Sequence, residues 1–262
     1  PRRPHPPMPP VPTSGPTGLV APRAVEGGAW LEAAAVPFLA RRLGGSAPVM
    51  EQIYDNQPIG RSALGRMVDR AVHASPASRA VRHRLMATIE LGQALAPERL
   101  LSVPCGGGRD AAAIAASVTV LADPDPAARR LAKANNPHAQ VVHATVEECP
   151  AGPFDLILFI GLAEYLDDPE VVRLLVSLRG RLAPGGALLA STTADHPQRG
   201  RMGRWLGWDT RARTPDALAE LMDAAGFVVE SRRGDPLDIQ WVLLGRPRPM
   251  APSRPPAEVA TG

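Results

Sequence analysis

The sequence predicts an α/β protein: a mostly parallel sheet with helices on both faces, an antiparallel edge at the C-terminal end, and a helical segment in front. Three observations carry this. From Arg99 onward, short apolar runs alternate with helix-like segments, the order a parallel sheet needs because each strand must be carried back by a crossover. Before Arg99 the apolar residues recur at helical spacing instead. The last two runs lie close enough in sequence to pair directly, without a crossover.

The elements follow in order. Residues 1–28 hold many prolines and no apolar period, so they read as a disordered Pro-rich tail. Residues 29–98 read as a helical cap. Leu31, Val36, Phe38 and Leu39 recur at helical spacing, as do Leu64, Met67, Val68 and Val72, and then Ala80, Val81, Leu85, Met86 and Ile89. Pro58–Gly60 and Ser75–Pro76 interrupt the pattern, with Ser75 placed to cap a helix that opens on Pro76. The predicted strands are Leu100–Val103, Val118–Ala122, Gln140–His143, Asp155–Ile160, Ala187–Ser191, Phe227–Glu230 and Ile239–Leu244. Helices are expected near Asp110–Ala116, Pro126–Ala134, Glu170–Leu182 and Pro215–Ala225. The last of these is well signed: Thr214 caps it, Pro215 opens it, Asp216 suits its positive end, and Gly226 stops it. Residues 99–245 form the core, and residues 246–262 repeat the composition of the first tail.

Composition excludes several classes. A chain of 262 residues, 45% hydrophobic and 21% charged, can bury roughly 70% of its unfolded surface and needs no staples. Its two cysteines, Cys105 and Cys149, make neither a disulfide framework nor a zinc site, and no metal is expected. No run approaches the roughly 18 apolar residues of a membrane span, and the start lacks a signal-like hydrophobic centre. The chain is therefore expected in the cytoplasm, without a membrane partner. The net charge of +3 is an arginine excess, and aromatics at 4% give few platforms for stacking bases, so no nucleic-acid partner is expected. A monomer or homodimer is expected.

In an open α/β sheet, ligands lie beyond the carboxyl ends of the strands, where the first strand turns into the first helix. Here that turn is Leu101-Ser102-Val103-Pro104-Cys105-Gly106-Gly107-Gly108-Arg109-Asp110. Three consecutive glycines remove every Cβ, so a ligand can approach the backbone N–H groups. Gly106, Gly108 and Ala111 also fit the pattern G-x-G-x-x-A, a weak dinucleotide signal on its own. The second run ends in Leu121-Ala122-Asp123. A carboxylate there can accept both hydroxyl hydrogens of a ribose, whereas Asp125 is placed to cap the helix at Pro126. Two more landmarks follow: Gly152-Pro153-Phe154-Asp155-Leu156-Ile157-Leu158-Phe159-Ile160-Gly161-Leu162-Ala163-Glu164-Tyr165, then Leu182-Ala183-Pro184-Gly185-Gly186.

These four landmarks, in this order, resemble the core of class I S-adenosylmethionine-dependent methyltransferases. The resemblance runs over about Leu100 to Leu244. It implies a Rossmann-like sheet of seven strands, S-adenosyl-L-methionine as cofactor, and a small-molecule methyl acceptor. The cofactor-binding positions it implies are Pro104, Cys105, Gly106, Gly108, Asp123, Pro124, Thr145, Val146, Ile160, Gly161 and Tyr165, with Tyr54 reaching in from the helical cap. Some residues depart from the pattern. Ser102 stands for the usual acid, Pro104 for the first loop glycine, Thr145 for an Asp that often holds the adenine amino group, and Tyr165 for a common His.

Methyl transfer is an in-line displacement, so the protein mainly holds two reactants aligned and excludes water. Asp195-His196, after the fifth strand, lies where substrate-facing residues fall and could accept a proton; a plain polar loop is the other reading. The stretch Arg199–Trp208 carries two of the four tryptophans and could wall an apolar acceptor pocket or simply pack. Glu147-Glu148 reads as a water-facing pair. Two alternatives to methyl transfer remain at this stage: a non-catalytic binding protein on the same scaffold, suggested by Ser102, Pro104 and Thr145, and a nicotinamide or flavin oxidoreductase, suggested by G-x-G-x-x-A.

Overall fold

The structure, a computed structural model, describes residues 46–206 and 209–249. The first tail, the opening of the helical cap through residue 45, the end of the second tail and Trp208 lie outside the described residues, as does the Trp205 side chain.

Three helices come first: α1 (Ala47–Asp55), α2 (Ala63–Ala74) and α3 (Pro76–Leu95). The alternating part follows as β1 (Arg99–Ser102), α4 (Arg109–Ile114), β2 (Val118–Ala122), α5 (Pro126–Asn135), β3 (Gln140–Val142) and β4 (Phe154–Phe159). After a 3₁₀ turn at Ala163–Tyr165 come α6 (Asp168–Arg179), β5 (Leu182–Thr193), α7 (Arg199–Leu206), α8 (Pro215–Ala224), β6 (Phe227–Gly234) and β7 (Gln240–Pro247). The seven strands form one sheet in the order β3-β2-β1-β4-β5-β7-β6. β1 to β5 run parallel, and β7 pairs antiparallel with both β5 and β6. The expected antiparallel pair does close the C-terminal end of the sheet; β7 is its inner member and β6 its edge.

Side chains alternate across each strand, and both faces are buried. Leu101, Ile157, Phe159 and Leu188 point to one face, where α6 and α8 bring Leu175, Leu178, Leu218 and Met222. Leu100, Leu156, Leu158 and Leu189 point to the other, where Leu91 of α3, Ile114 of α4 and Ala132 of α5 cover them. Truncating one of these fully buried leucines to Ala is expected to cost about 2–5 kcal/mol.

The helix starts follow their local chemistry. Ser75 Oγ accepts from Ser78 N–H at 3.3 Å, Asp125 from Ala127 N–H at 2.9 Å, and Thr214 from Ala217 N–H at 3.1 Å. Asp167 and Glu170 form a reciprocal capping box on α6. Three strands run further than their apolar runs suggest, β5 beginning at Leu182 and ending at Thr193. β6 reaches Gly234, and β7 reaches Pro247, past the boundary expected at Gly245, because the two share one ladder from Phe227↔Pro247 to Gly234↔Trp241.

Candidate active site

The carboxyl ends of β1, β2, β4 and β5 open on a cavity of about 670 Å³, roofed by α1, α2 and α3. That size lies within the range of about 300–1,000 Å³ that buries a small organic ligand. The helical cap folds back over the strand ends rather than forming a separate unit, and supplies one wall of the cavity.

The glycine loop forms the floor beside β1. Gly106 and Gly108 have φ of +50° and +66°, the left-handed region that disfavours residues with a Cβ. Gly107 leaves room for α1: a Cβ there would lie 2.1 Å from Glu51 Oε1, and the Glu51 side chain would have to shift. Glu51 is buried and accepts from Arg109 Nε at 2.6 Å, while Arg109 also pairs with Asp55. The Arg109 guanidinium lies 5.9 Å from the Tyr54 ring centre. This network fastens α1 onto the loop. Burial raises the Glu51 carboxyl above its ordinary range, against the pull of Arg109.

Asp123 lines the cavity at the end of β2, buried and held on both oxygens. Gly106 N–H donates to Oδ2 at 3.0 Å and Asp125 N–H to Oδ1 at 2.9 Å. Asp125 is the cap of α5, as its spacing predicts, and Asp123 braces the loop as well as facing the cavity. Burial raises its carboxyl above the usual range, while those two N–H donors pull it back. Asp110, also on the wall, is raised by burial too, against the bond from Ala111 N–H and the nearby Arg84 charge. Burial, reinforced by Asp123, drives the Cys105 thiol far above its ordinary value, so it is no thiolate nucleophile.

Of the sequence-predicted positions, Tyr54, Pro104, Cys105, Gly106, Gly108, Asp123, Ile160, Gly161, Tyr165 and His196 meet at this cavity. Pro124, Thr145, Val146 and Asp195 are not on its wall. Pro124 is exposed, and Val146 packs in the core. The Thr145 hydroxyl donates to Glu148 at 2.9 Å. The Asp195 carboxylate faces solvent and accepts from Arg199 Nε at 2.8 Å and from the His196 backbone N–H at 3.1 Å, not from the imidazole.

His196 is 9% exposed and its Nδ1 is buried. Neither ring nitrogen has a hydrogen-bond partner among the described residues. Burial lowers its pKa below the ordinary 6.5, with Asp195 opposing the shift, so the ring is neutral and able to accept a proton.

Sequence reasoning did not single out the cavity's central polar group. Arg84 of α3, 5% exposed, donates to Glu164 at 3.3 Å and to Gln240 at 3.2 Å. Burial works against its charge, but Tyr54 and Glu164 beside it outweigh that, and it stays protonated. Glu164 stands inside the quoted motif and Arg84 lies in the helical cap; no local pattern joins them.

The methyltransferase-domain family matches residues 73–232, from the end of α2 into β6. The chain belongs to this family, and family and fold together make it a class I S-adenosylmethionine-dependent methyltransferase with S-adenosylmethionine as cofactor, not the dinucleotide enzyme that G-x-G-x-x-A also allows. Solved structures share the fold. A protein of Bordetella parapertussis described as a possible exported protein is 22% identical, over 81% of this chain and 82% of its own, with a TM-score of 0.66. The N-methyltransferase NodS of Bradyrhizobium japonicum WM9, solved in complex with S-adenosyl-L-homocysteine, is 18% identical over 76% of this chain and 98% of its own, with a TM-score of 0.54. No protein with a curated description matches the sequence significantly.

Proposed function

We propose that the protein transfers a methyl group from S-adenosylmethionine to a small-molecule acceptor bound beneath its helical cap. The observation that carries this is the cavity over the strand ends, walled together by the Cβ-free glycine loop, Asp123 and His196. The residues fit such a cofactor. Asp123 offers two buried carboxylate oxygens to a pair of ribose hydroxyls, and Asp110 offers a carboxylate to an ammonium. Gly106, Gly107 and Gly108 leave bare backbone for the amino-acid end, with Tyr54 above them. Bound there, the cofactor supplies a methyl group on a sulfonium sulfur.

The chain's own contribution is placement, dryness and a proton acceptor. α1, fastened by the Glu51–Arg109 pair, covers the loop and keeps water out. His196 takes the acceptor's proton where the acceptor has one to lose, with Asp195 steadying its backbone. Arg84 and Glu164 cross-brace α3 to the turn after β4. Two free, buried cysteines suit a reducing compartment, so the cytoplasm is part of this reading. No helix among the described residues is long and apolar enough to cross a membrane.

Calorimetric titration with S-adenosylhomocysteine and, separately, with NAD tests the proposal. One-site micromolar binding of the first and no heat with the second is expected. The reverse pattern overturns it.

A further inference from the structure

The cavity has two unlike halves. Around Gly106, Asp110 and Asp123 its wall is backbone and carboxylate. Away from the loop, α1, α2, α3 and α7 turn Met50, Ile53, Val68, Val72, Val81 and Met202 toward it. We propose that this helical half is the acceptor site, and that the acceptor is an uncharged, largely apolar molecule that presents one hydroxyl group to His196. The inference rests on the methyl-transfer reading and names its substrate class.

Charge excludes the alternatives first. Among the described residues, the charged side chain that α1, α2, α3 and α7 bring to this half is Arg84, and Glu164 already pairs with it. A charged acceptor would leave water and meet an ion pair already neutralised within itself, with no excess counter-charge in this half.

The hydrogen-bonding groups narrow it further. Ser75 Oγ accepts from Ser78 N–H and donates to Ser78 Oγ. Gln198 accepts from Ala77 N–H at 2.9 Å, and Gln240 donates to Thr193 Oγ1 at 2.8 Å. These side chains already hold partners. The imidazole of His196 does not, so a hydrogen-bonding group of the acceptor meets it there. Among uncharged groups that shed a proton as they are methylated, a hydroxyl is a strong hydrogen-bond donor to a neutral imidazole and a thiol a weak one, and we assign the hydroxyl. Its oxygen lone pair forms the new bond to the methyl carbon, the carbon–sulfur bond breaks with its pair left on sulfur, and the hydroxyl proton passes to His196.

The test compares 2-naphthol with 6-hydroxy-2-naphthoate, the same ring bearing a carboxylate, by fluorescence titration of the full chain saturated with S-adenosylhomocysteine. We expect one-site binding of 2-naphthol and at least tenfold weaker binding of the carboxylate. Val72→Asp should weaken 2-naphthol at least tenfold and leave S-adenosylhomocysteine affinity unchanged. With S-adenosylmethionine, the wild type should form 2-methoxynaphthalene, and His196→Gln should lose that product while still binding 2-naphthol. Equal affinity for the two probes, or no binding of 2-naphthol to the saturated protein, overturns the inference and leaves methyl transfer standing. Failure of S-adenosylhomocysteine itself to bind overturns the underlying reading instead. The comparison of probes on the wild type holds even if Val72→Asp does not fold.

Discussion

Asp123→Asn is the sharpest single perturbation of the proposed cofactor site. In the free protein each carboxylate oxygen accepts one backbone N–H, from Gly106 at 3.0 Å and Asp125 at 2.9 Å. Each oxygen has a second lone pair, so two ribose hydroxyls can still donate to it. Asparagine keeps one such oxygen and turns N–H groups toward the other donor, so one ribose bond disappears and the remaining one loses its charge. Hydrogen bonds to a charged group contribute about 1.5–3 kcal/mol and neutral ones about 1 kcal/mol. With partial rescue by water at the cavity mouth, the net loss is about 1–3 kcal/mol, or about 5- to 150-fold in Kd. Calorimetric titration with S-adenosylhomocysteine reads this directly. A melting curve beside it separates the cofactor effect from loosening of the Gly106 loop. A Kd within twofold of wild type, in a variant that melts normally, would refute the placement of the ribose.

Four further outcomes are expected. His196→Gln should lower kcat by about 10²- to 10⁴-fold, the usual worth of a positioned base, with cofactor affinity unchanged; an unaltered kcat removes His196 from the chemistry. Because burial lowers the His196 pKa, with Arg199 adding to that and Asp195 and Asp235 opposing it, kcat/KM should rise with pH and level off below the ordinary histidine value of 6.5, where the ring has become neutral. A limb centred above 6.5 contradicts this. Arg84→Met should cost about 3–5 kcal/mol in urea unfolding by leaving the Glu164 carboxylate buried and unpaired, and Arg84→Met with Glu164→Leu should recover most of it; additive losses would show that the pair is not coupled. Gly107→Ala should cost about 1–3 kcal/mol by driving a methyl into Glu51, and adding Glu51→Ala should relieve that clash. An unchanged melting temperature in the single variant would mean that α1 does not sit on the loop.

Much of the fold was legible because its causes are local. Alternation of apolar runs and helical periods sets a parallel sheet, and Ser75, Asp125 and Thr214 announce helix starts by side-chain chemistry that acts over two or three residues. Asp123 was legible for the same reason, at the end of a short apolar run. The cavity's inner polar group was not. Arg84 meets Glu164 and Gln240 across 80 and 156 residues of chain, and Glu51 meets Arg109 across 58, separations that no periodicity records. Two of the positions singled out in the sequence engage near neighbours instead of lining the cavity. Thr145 turns to Glu148 three residues on, and Asp195 turns to Arg199 four residues on; both partners stood in plain view in the sequence. The length of β6 and β7 was hidden because Ser231–Gly234 and Arg246–Pro247 carry no apolar run of their own; the first pair along the backbone with Trp241–Leu244 and the second with Phe227 and Val228, at opposite ends of one ladder.

The central claim is that an adenosine sulfonium lies over the strand tips, with its sugar on Asp123 and its reacting end facing His196 beneath the helical cap. A crystal structure of the full chain grown with S-adenosylhomocysteine tests it most directly. The account predicts both ribose hydroxyls within hydrogen-bond distance of the Asp123 carboxylate and the sulfur open toward His196 and the apolar wall of α2 and α3. Density for the nucleoside elsewhere, or a cavity closed by Tyr54 and Arg84 with the ligand excluded at saturating concentration, would contradict it.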